Sequence, residues 1–361
     1  MTTAPATPGT ATASTGSRRR WLRIFAHQEA LLAILIGLIL IAVVIAVPDF
    51  WHVQTLFNIL RASMVDLVFA LGVLLVIIAG GIDVSFLAVG IFAAYLTVKV
   101  TPMEGGLAMA IWPFLLALLI GGVLGLINAA VVISAKVPTL IATLATSAIF
   151  MGFLFAVVGG NIINTLPAPL RLLGQVNLVT APGAVRGTTR LSVLALLVLA
   201  VCLLVWAFLR WTVPGRSVFA IGGDAEAAAR AAVPVARTRM MVFIIAGALA
   251  GLAGIIHVTL TGRADPTTFL GRELDVIAAV VLGGAAITGG KGSVRGTFLG
   301  VVLISLIQSS LVPLGVPSIW QRAAVGVLLL VGVVMQTLAA RSTPVRPILD
   351  PVRPDSEAKV A

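Results

Sequence analysis

Long apolar runs, separated by short polar or glycine-bearing connections, organise this chain from residue 30 onward. A helix needs about 17–25 apolar residues to cross a bilayer, and runs of that length recur. They predict helices near 30–47, 56–79, 86–100, 107–133, 138–158, 191–210, 240–260, 273–289, 296–312 and 320–339. The implied fold class is an all-α polytopic membrane protein of about ten transmembrane helices. The runs lack the alternation of lipid-facing and lumen-facing residues that marks a membrane β-barrel.

Two runs are interrupted by glycine. Gly80-Gly81-Ile82-Asp83-Val84-Ser85 places two glycines, a carboxylate and a hydroxyl between apolar flanks. A charge there is costly in lipid unless it faces protein or water. A backbone break is tolerated at such depth only where it is buried or lines a cavity. A second glycine-broken segment runs through Gly283-Gly284 to Gly289-Gly290-Lys291-Gly292. Broken segments in both halves of a chain read as an internal pseudo-repeat and point to a transport path. Gly80, Gly81, Asp83, Ser85, Gly283 and Gly284 are thus candidate path residues.

Composition agrees with this class. Of 361 residues, 60% are hydrophobic and 10% charged, against about a quarter charged in soluble domains. The net charge of +11 follows from basic residues at span ends, a topological pattern that speaks against nucleic-acid binding. With the N-terminus inside, Arg18, Arg19, Arg20, Arg23, Lys136, Arg210, Arg216, Arg230, Arg237, Arg239, Lys291 and Arg295 fall on the cytoplasmic side. The smaller share, including Arg61, Lys99, Arg171, Arg186, Arg190 and Arg263, falls outside. Both termini are then cytoplasmic, 159–190 is the longest external connection and 211–239 the longest cytoplasmic one. Residues 1–25 read as a disordered basic tail, 26–340 as the transmembrane domain and 341–361 as a C-terminal tail. The first run ends at Val47-Pro48-Asp49 without a small-x-small cleavage site, so it is expected to be a retained helix. Cys202 is the single cysteine, so no intrachain disulfide is possible.

Gly289-Gly290-Lys291-Gly292 is not a phosphate loop, because Ala285 and Gly292 stand where Gly and Ser or Thr are needed. The chain therefore carries no ATPase site of its own. Asp83 and Ser85 are expected to cap the third helix in preference to touching solute. Asp66 sits at a polar notch near the external end, where the plain reading is an interfacial residue paired with Arg61, although a spacing of five is off the preferred three or four. Glu273 and Asp275 open the eighth helix, where carboxylates favour the N-terminus, and are also candidates for an external gate. His257 lacks partners at metal-ligand spacing, so no metal site is expected. No Ser-His-Asp arrangement suits an intramembrane hydrolase, and no catalytic residue is assigned.

The loop from Gly215-Arg216 through Ala220-Ile221-Gly222-Gly223-Asp224 to Glu226-Ala227-Ala228 resembles the permease subunits of bacterial ABC importers for ribose and related sugars. The resemblance extends to Gly80–Ser85, to Asn128-Ala129 with Val137-Pro138-Thr139, and to Glu273–Gly284 and Gly289–Thr297. Departures include Phe86-Leu87-Ala88 after the Asp-x-Ser triplet, Ala232 where the family has Gly, and Gln308-Ser309 for an Asn-Gly pair. It implies a translocation pathway for a sugar or sugar-like solute across a bacterial inner membrane. Gly215, Arg216, Gly222, Gly223, Glu226, Ala227 and Ala228 would dock on an ATPase subunit that binds the ATP and Mg. The remaining implied partners are a periplasmic or lipid-anchored solute-binding protein, a second permease copy or paralogue, and membrane lipid. Permeases for branched-chain amino acids are related, and an ion-coupled carrier is the other reading of the same apolar pattern.

Overall fold

The computed structural model describes residues 28–47, 50, 52–182 and 188–341. The tail expected at 1–25, Pro48-Asp49, Arg186 and residues 342–361 lie outside the described residues. The helices are α1 (Gln28–Ala46), α2 (Val53–Ile78), α3 (Phe86–Val100), α4 (Ile111–Ala135) and α5 (Thr139–Phe153). After a short α6 (Ala168–Gln175) come α7 (Leu194–Trp211), α8 (Val213–Gly223), α9 (Ala225–Arg230) and α10 (Val235–Thr261). The last are α11 (Glu273–Leu282), α12 (Val294–Leu311) and α13 (Trp320–Arg341). A 3-10 turn, Leu107–Ala110, leads into α4, and a π turn, Leu154–Val158, extends α5.

Among the described residues, six helical stretches are long and apolar enough to cross a membrane. These are Val53–Ile78, Leu107–Ala135, Thr139–Val158, Leu194–Trp211, Val235–Thr261 and Val294–Leu311. Leu32–Ala46, Phe86–Val100 and Trp320–Val334 are apolar but shorter. Two expectations need correction. The helix predicted over 273–289 stops at Leu282, because Gly284 turns the chain into the left-handed region at φ 95°. The external connection is not purely helical or loop: Asn177–Pro182 (β1) and Thr188–Ser192 (β2) form an antiparallel hairpin. A strand bridge between Ile163 and Ala264 ties this region to the loop after α10, with both N–H···O distances at 2.9 Å.

Helix α2 is the hub. In its most apolar window 89% of residues are buried, against 28% for α5 and for α7, which turn most of their surface outward. Helix α2 contacts α10, α12, α11, α7 and α3, so protein covers most of its surface. Helix α10 packs most extensively on α4. Gly121 and Gly125 of α4 meet Gly247 and Gly251 of α10 along this seam. A Cβ added at Gly121 would lie 2.2 Å from the Gly247 carbonyl oxygen, and one at Gly251 2.1 Å from that of Ala117. Small residues spaced by four let backbones approach without a side chain between them, which is how helices associate where lipid offers no hydrophobic gain.

Candidate functional site

The two glycine pairs end their helices by the same device. After α2, the N–H of Gly80 bonds to the Ile77 carbonyl at 2.9 Å and that of Gly81 to Val76 at 3.0 Å. After α11, Gly284 bonds to Val281 at 2.9 Å and Ala285 to Val280 at 3.2 Å. This is the Schellman pattern, which needs a left-handed residue just past the cap. Gly80 supplies it at φ 80° and Gly284 at φ 95°. The equivalent glycines are therefore Gly80 and Gly284; Gly283 is the cap residue and packs on Gly296 of α12, where a Cβ would meet the carbonyl oxygen at 2.5 Å.

The chain between α2 and α3 leaves amides that need partners, and α5 supplies two. Thr139 Oγ1 accepts from Ile82 N–H at 2.9 Å and Thr143 Oγ1, one turn on, from Val84 N–H at 3.2 Å. Asp83, 3% exposed, accepts from the Ser85 N–H at 2.7 Å and hydroxyl at 2.6 Å. Asn128 of α4 completes the chain by donating to Ser85 Oγ at 2.7 Å. Asp83 thus caps the approach to α3, whereas Ser85 makes no side-chain cap bond and faces Asn128.

Three separate segments then meet through glycine. The Gly290 N–H bonds to the Ile78 carbonyl at the end of α2, at 2.9 Å. A Cβ on Gly222, at the end of α8, would sit 1.7 Å from that same oxygen. A Cβ on Gly289 would fall 2.5 Å from the Gly222 oxygen and 2.8 Å from Gly80 Cα, and one on Gly290 2.9 Å from Gly223 Cα. The end of α2, the α8–α9 loop and the turn at 289–290 are therefore in backbone contact.

Helix α8 starts at Thr212, whose hydroxyl accepts from Gly215 N–H at 3.0 Å. Gly215 lies against α7, with no room for a Cβ beside the Phe208 carbonyl. Arg216 is exposed. Asp224 caps α9, accepting from Glu226 and Ala227 N–H at 2.9 Å each. Glu226 pairs loosely with Arg230 at 3.8 Å, and with Ala227 both project from the surface. Ala228 does not; at 6% exposed it belongs to the chain's own core.

At the opposite end of α11 a polar cavity of about 520 Å³ is lined by Arg272, Asp275, Gln308, Ser318, Ile319, Gln321 and Arg322. Arg272 Nη2 donates to both carboxylate oxygens of Asp66, at 2.9 and 3.1 Å, and its guanidinium lies 6.0 Å from the Phe269 ring centroid. Gln308 donates to Asp275 at 3.2 Å, and Gln321 donates to the Gln308 carbonyl at 3.0 Å. The expected Asp66–Arg61 pair does not form, because Arg61 bonds instead to the Leu260 carbonyl. Of the two gate candidates, Asp275 lines this cavity; Glu273, half-buried at the first position of α11, does not. Sequence reasoning missed Arg272, Gln308 and Asn128 as partners, since each lies 33 or more residues from its mate. His257 packs edge-on against Phe269, centroids 4.6 Å apart. In the loop before α11, the Thr267 hydroxyl and N–H hold the Asp265 carboxyl below the usual range. Among the described residues no group of three His, Cys, Asp or Glu could hold a metal ion.

Comparison with known proteins places this geometry in a family. The model of the family described as "Branched-chain amino acid transport system / permease component" matches residues 55–333. The ribose import permease protein of Escherichia coli is 32% identical over 319 residues, covering 88% of this chain and 94% of that protein. Its Bacillus subtilis counterpart is 32% identical over 308 residues, 83% of this chain and 90% of the relative. An autoinducer 2 import system permease protein from an Enterobacter species is 34% identical over 312 residues, 86% of this chain and 87% of the relative. No solved structure matches the chain. The matched span runs from within α2 to within α13 and includes both glycine-ended helices, and the chain belongs to this family of multi-pass transport permeases.

Proposed function

We propose that the chain is the membrane subunit of an ATP-binding-cassette importer that passes a sugar or sugar-like solute across the bacterial inner membrane. The observation that carries this is the backbone contact of Gly222 and Gly223 with Gly80 and Gly289-Gly290. A force applied to α8–α9 from outside the membrane is delivered at that contact to the ends of α2 and of the 283–293 segment. The relatives named above are import permeases for ribose and for autoinducer 2, which supports a polyhydroxylated solute.

In this reading about ten helices span or enter the membrane, counting α1, α3, α11 and α13 with the six long stretches. The ends at Gly80-Gly81 and Gly283-Gly284 are the broken segments of a pseudo-repeat, and the cavity at Arg272 and Asp275 lies on the path. Arg272 is paired with Asp66 and Asp275 accepts from Gln308, and with Arg322 beside them the cavity offers both donors and acceptors to hydroxyls. Residues 26–340 form the permease domain between two cytoplasmic tails. Glu226 and Ala227 dock on the ATPase, which binds ATP and Mg; this chain needs no cofactor of its own. A solute-binding protein meets the opposite face, and a second permease copy or paralogue completes the pathway.

Coexpression with an ATP-binding subunit tests the docking step. Ala227→Trp is expected to abolish co-purification and uptake while leaving the permease folded in the membrane. Normal co-purification by that variant would overturn the assignment of α9.

A further inference from the structure

Two neighbouring hollows lie between α7 and α12, the first also against α2 and the second against α8. The longer, about 650 Å³, is walled almost wholly by apolar side chains, including Leu60 and Leu67 of α2, Val198 and Leu203 of α7, and Phe298 and Val302 of α12. The other, about 550 Å³, is lined by Arg210, Arg216, Arg295 and Phe219. They share Glu29, Trp206, Val294 and Arg295, so the second is the mouth of the first.

The mouth holds three guanidinium groups and one carboxylate. That carboxylate, Glu29, accepts the Ser293 hydroxyl at 2.6 Å, and Ser293 in turn caps α12 by accepting from Gly296 N–H at 3.0 Å. The start of α12, with its partial positive charge, thus faces the same opening. From Ala195 to Trp206 the groove follows α7 for about 16 Å, at 1.5 Å per residue step.

We propose that this groove holds an acyl chain of an anionic phospholipid, with its phosphate at Arg210 and Arg295. An apolar slot with a cationic mouth matches such a molecule in both its hydrocarbon and its charge. A zwitterionic lipid would fit the slot but carry no net charge to the mouth. The site is separate from the polar cavity at Arg272, and it holds whatever solute is carried.

Native mass spectrometry of the full chain in detergent tests it, with dioleoyl phosphatidylglycerol and the matching phosphatidylcholine as probes. The wild type is expected to retain one phosphatidylglycerol at least fivefold more than phosphatidylcholine. Arg210→Gln with Arg295→Gln, both on the surface, should bring that ratio close to one while some of each lipid still binds. Ala195→Trp should exclude both lipids from the slot. Equal retention by the wild type, or a preference that survives loss of both arginines, would overturn the proposal. So would full competition by inorganic phosphate, which would show an anion site without a chain. Binding gained only when residues 1–25 are deleted, or only in a monomer freed from its partner copy, would assign the groove to that segment or copy instead.

Discussion

Ala232 takes φ 60°, a conformation that glycine adopts freely and alanine does not. It is the left-handed residue of the turn that ends α9, with its N–H on Ala229 and that of Val233 on Ala228, both at 3.0 Å. The glycine that the family resemblance places here would relieve this strain. Ala232→Gly is expected to stabilise the α9 turn by about 1 kcal/mol, read as slower hydrogen exchange at Val233. At Gly222 the opposite holds: Gly222→Ala forces a Cβ into the Ile78 carbonyl and should cost uptake even where the protein still inserts. Asp66→Asn leaves Arg272 without its counter-ion, at about 1.5–3 kcal/mol for a charged hydrogen bond. A double-mutant cycle with Arg272→Gln measures that coupling; additive effects would show that the pair contributes nothing. The glycine pairs were legible in the sequence because a helix end needs a left-handed residue. Asp66–Arg272 was not, because its partners are 206 positions apart and only the fold sets that separation.

At the scale of the helices, glycine separates into two kinds. In the α4–α10 seam it permits backbone contact; at Gly37 of α1 and Gly152 of α5 nothing lies within 4 Å of an added Cβ. Gly121→Leu or Gly247→Leu should therefore prevent these helices from closing and cause loss of folded protein. Gly37→Ala and Gly152→Ala should stabilise by about 0.5–1 kcal/mol, the gain from replacing glycine in a helix interior. Thermal unfolding in detergent distinguishes the two sets; tolerance of leucine in the seam would contradict the packing described. Most helix positions could be read from the apolar runs, since the membrane-length criterion is strong. The span drawn over 273–289 overran Leu282 because its length was taken from hydrophobicity, although the glycine pair at 283–284 already marked the break. The β1–β2 hairpin was missed because its strands, NLVTAP and TTRLS, are too short to stand out as a run of either period.

For the molecule as a whole, the basic residues Lys136, Arg210, Arg216, Arg239 and Arg295 collect around hollows at the end that holds Gly80 and Gly222. Placing that end in the cytoplasm predicts the labelling of single cysteines in a Cys202→Ser background. A cysteine at position 226 should resist impermeant external reagent in intact cells, and one at 175 should react; the reverse pattern would invert the topology. The central claim is that this permease moves its solute on ATP hydrolysed by a partner that pushes through the glycine contact. Uptake of labelled ribose, with autoinducer 2 in parallel, into proteoliposomes bearing the assembled permease, ATPase and binding protein tests it most directly. The account predicts uptake of one of the two solutes that requires ATP, persists without any ion gradient and is lost in Gly222→Val. Uptake by the permease alone, driven by a sodium or proton gradient and indifferent to ATP, would contradict it.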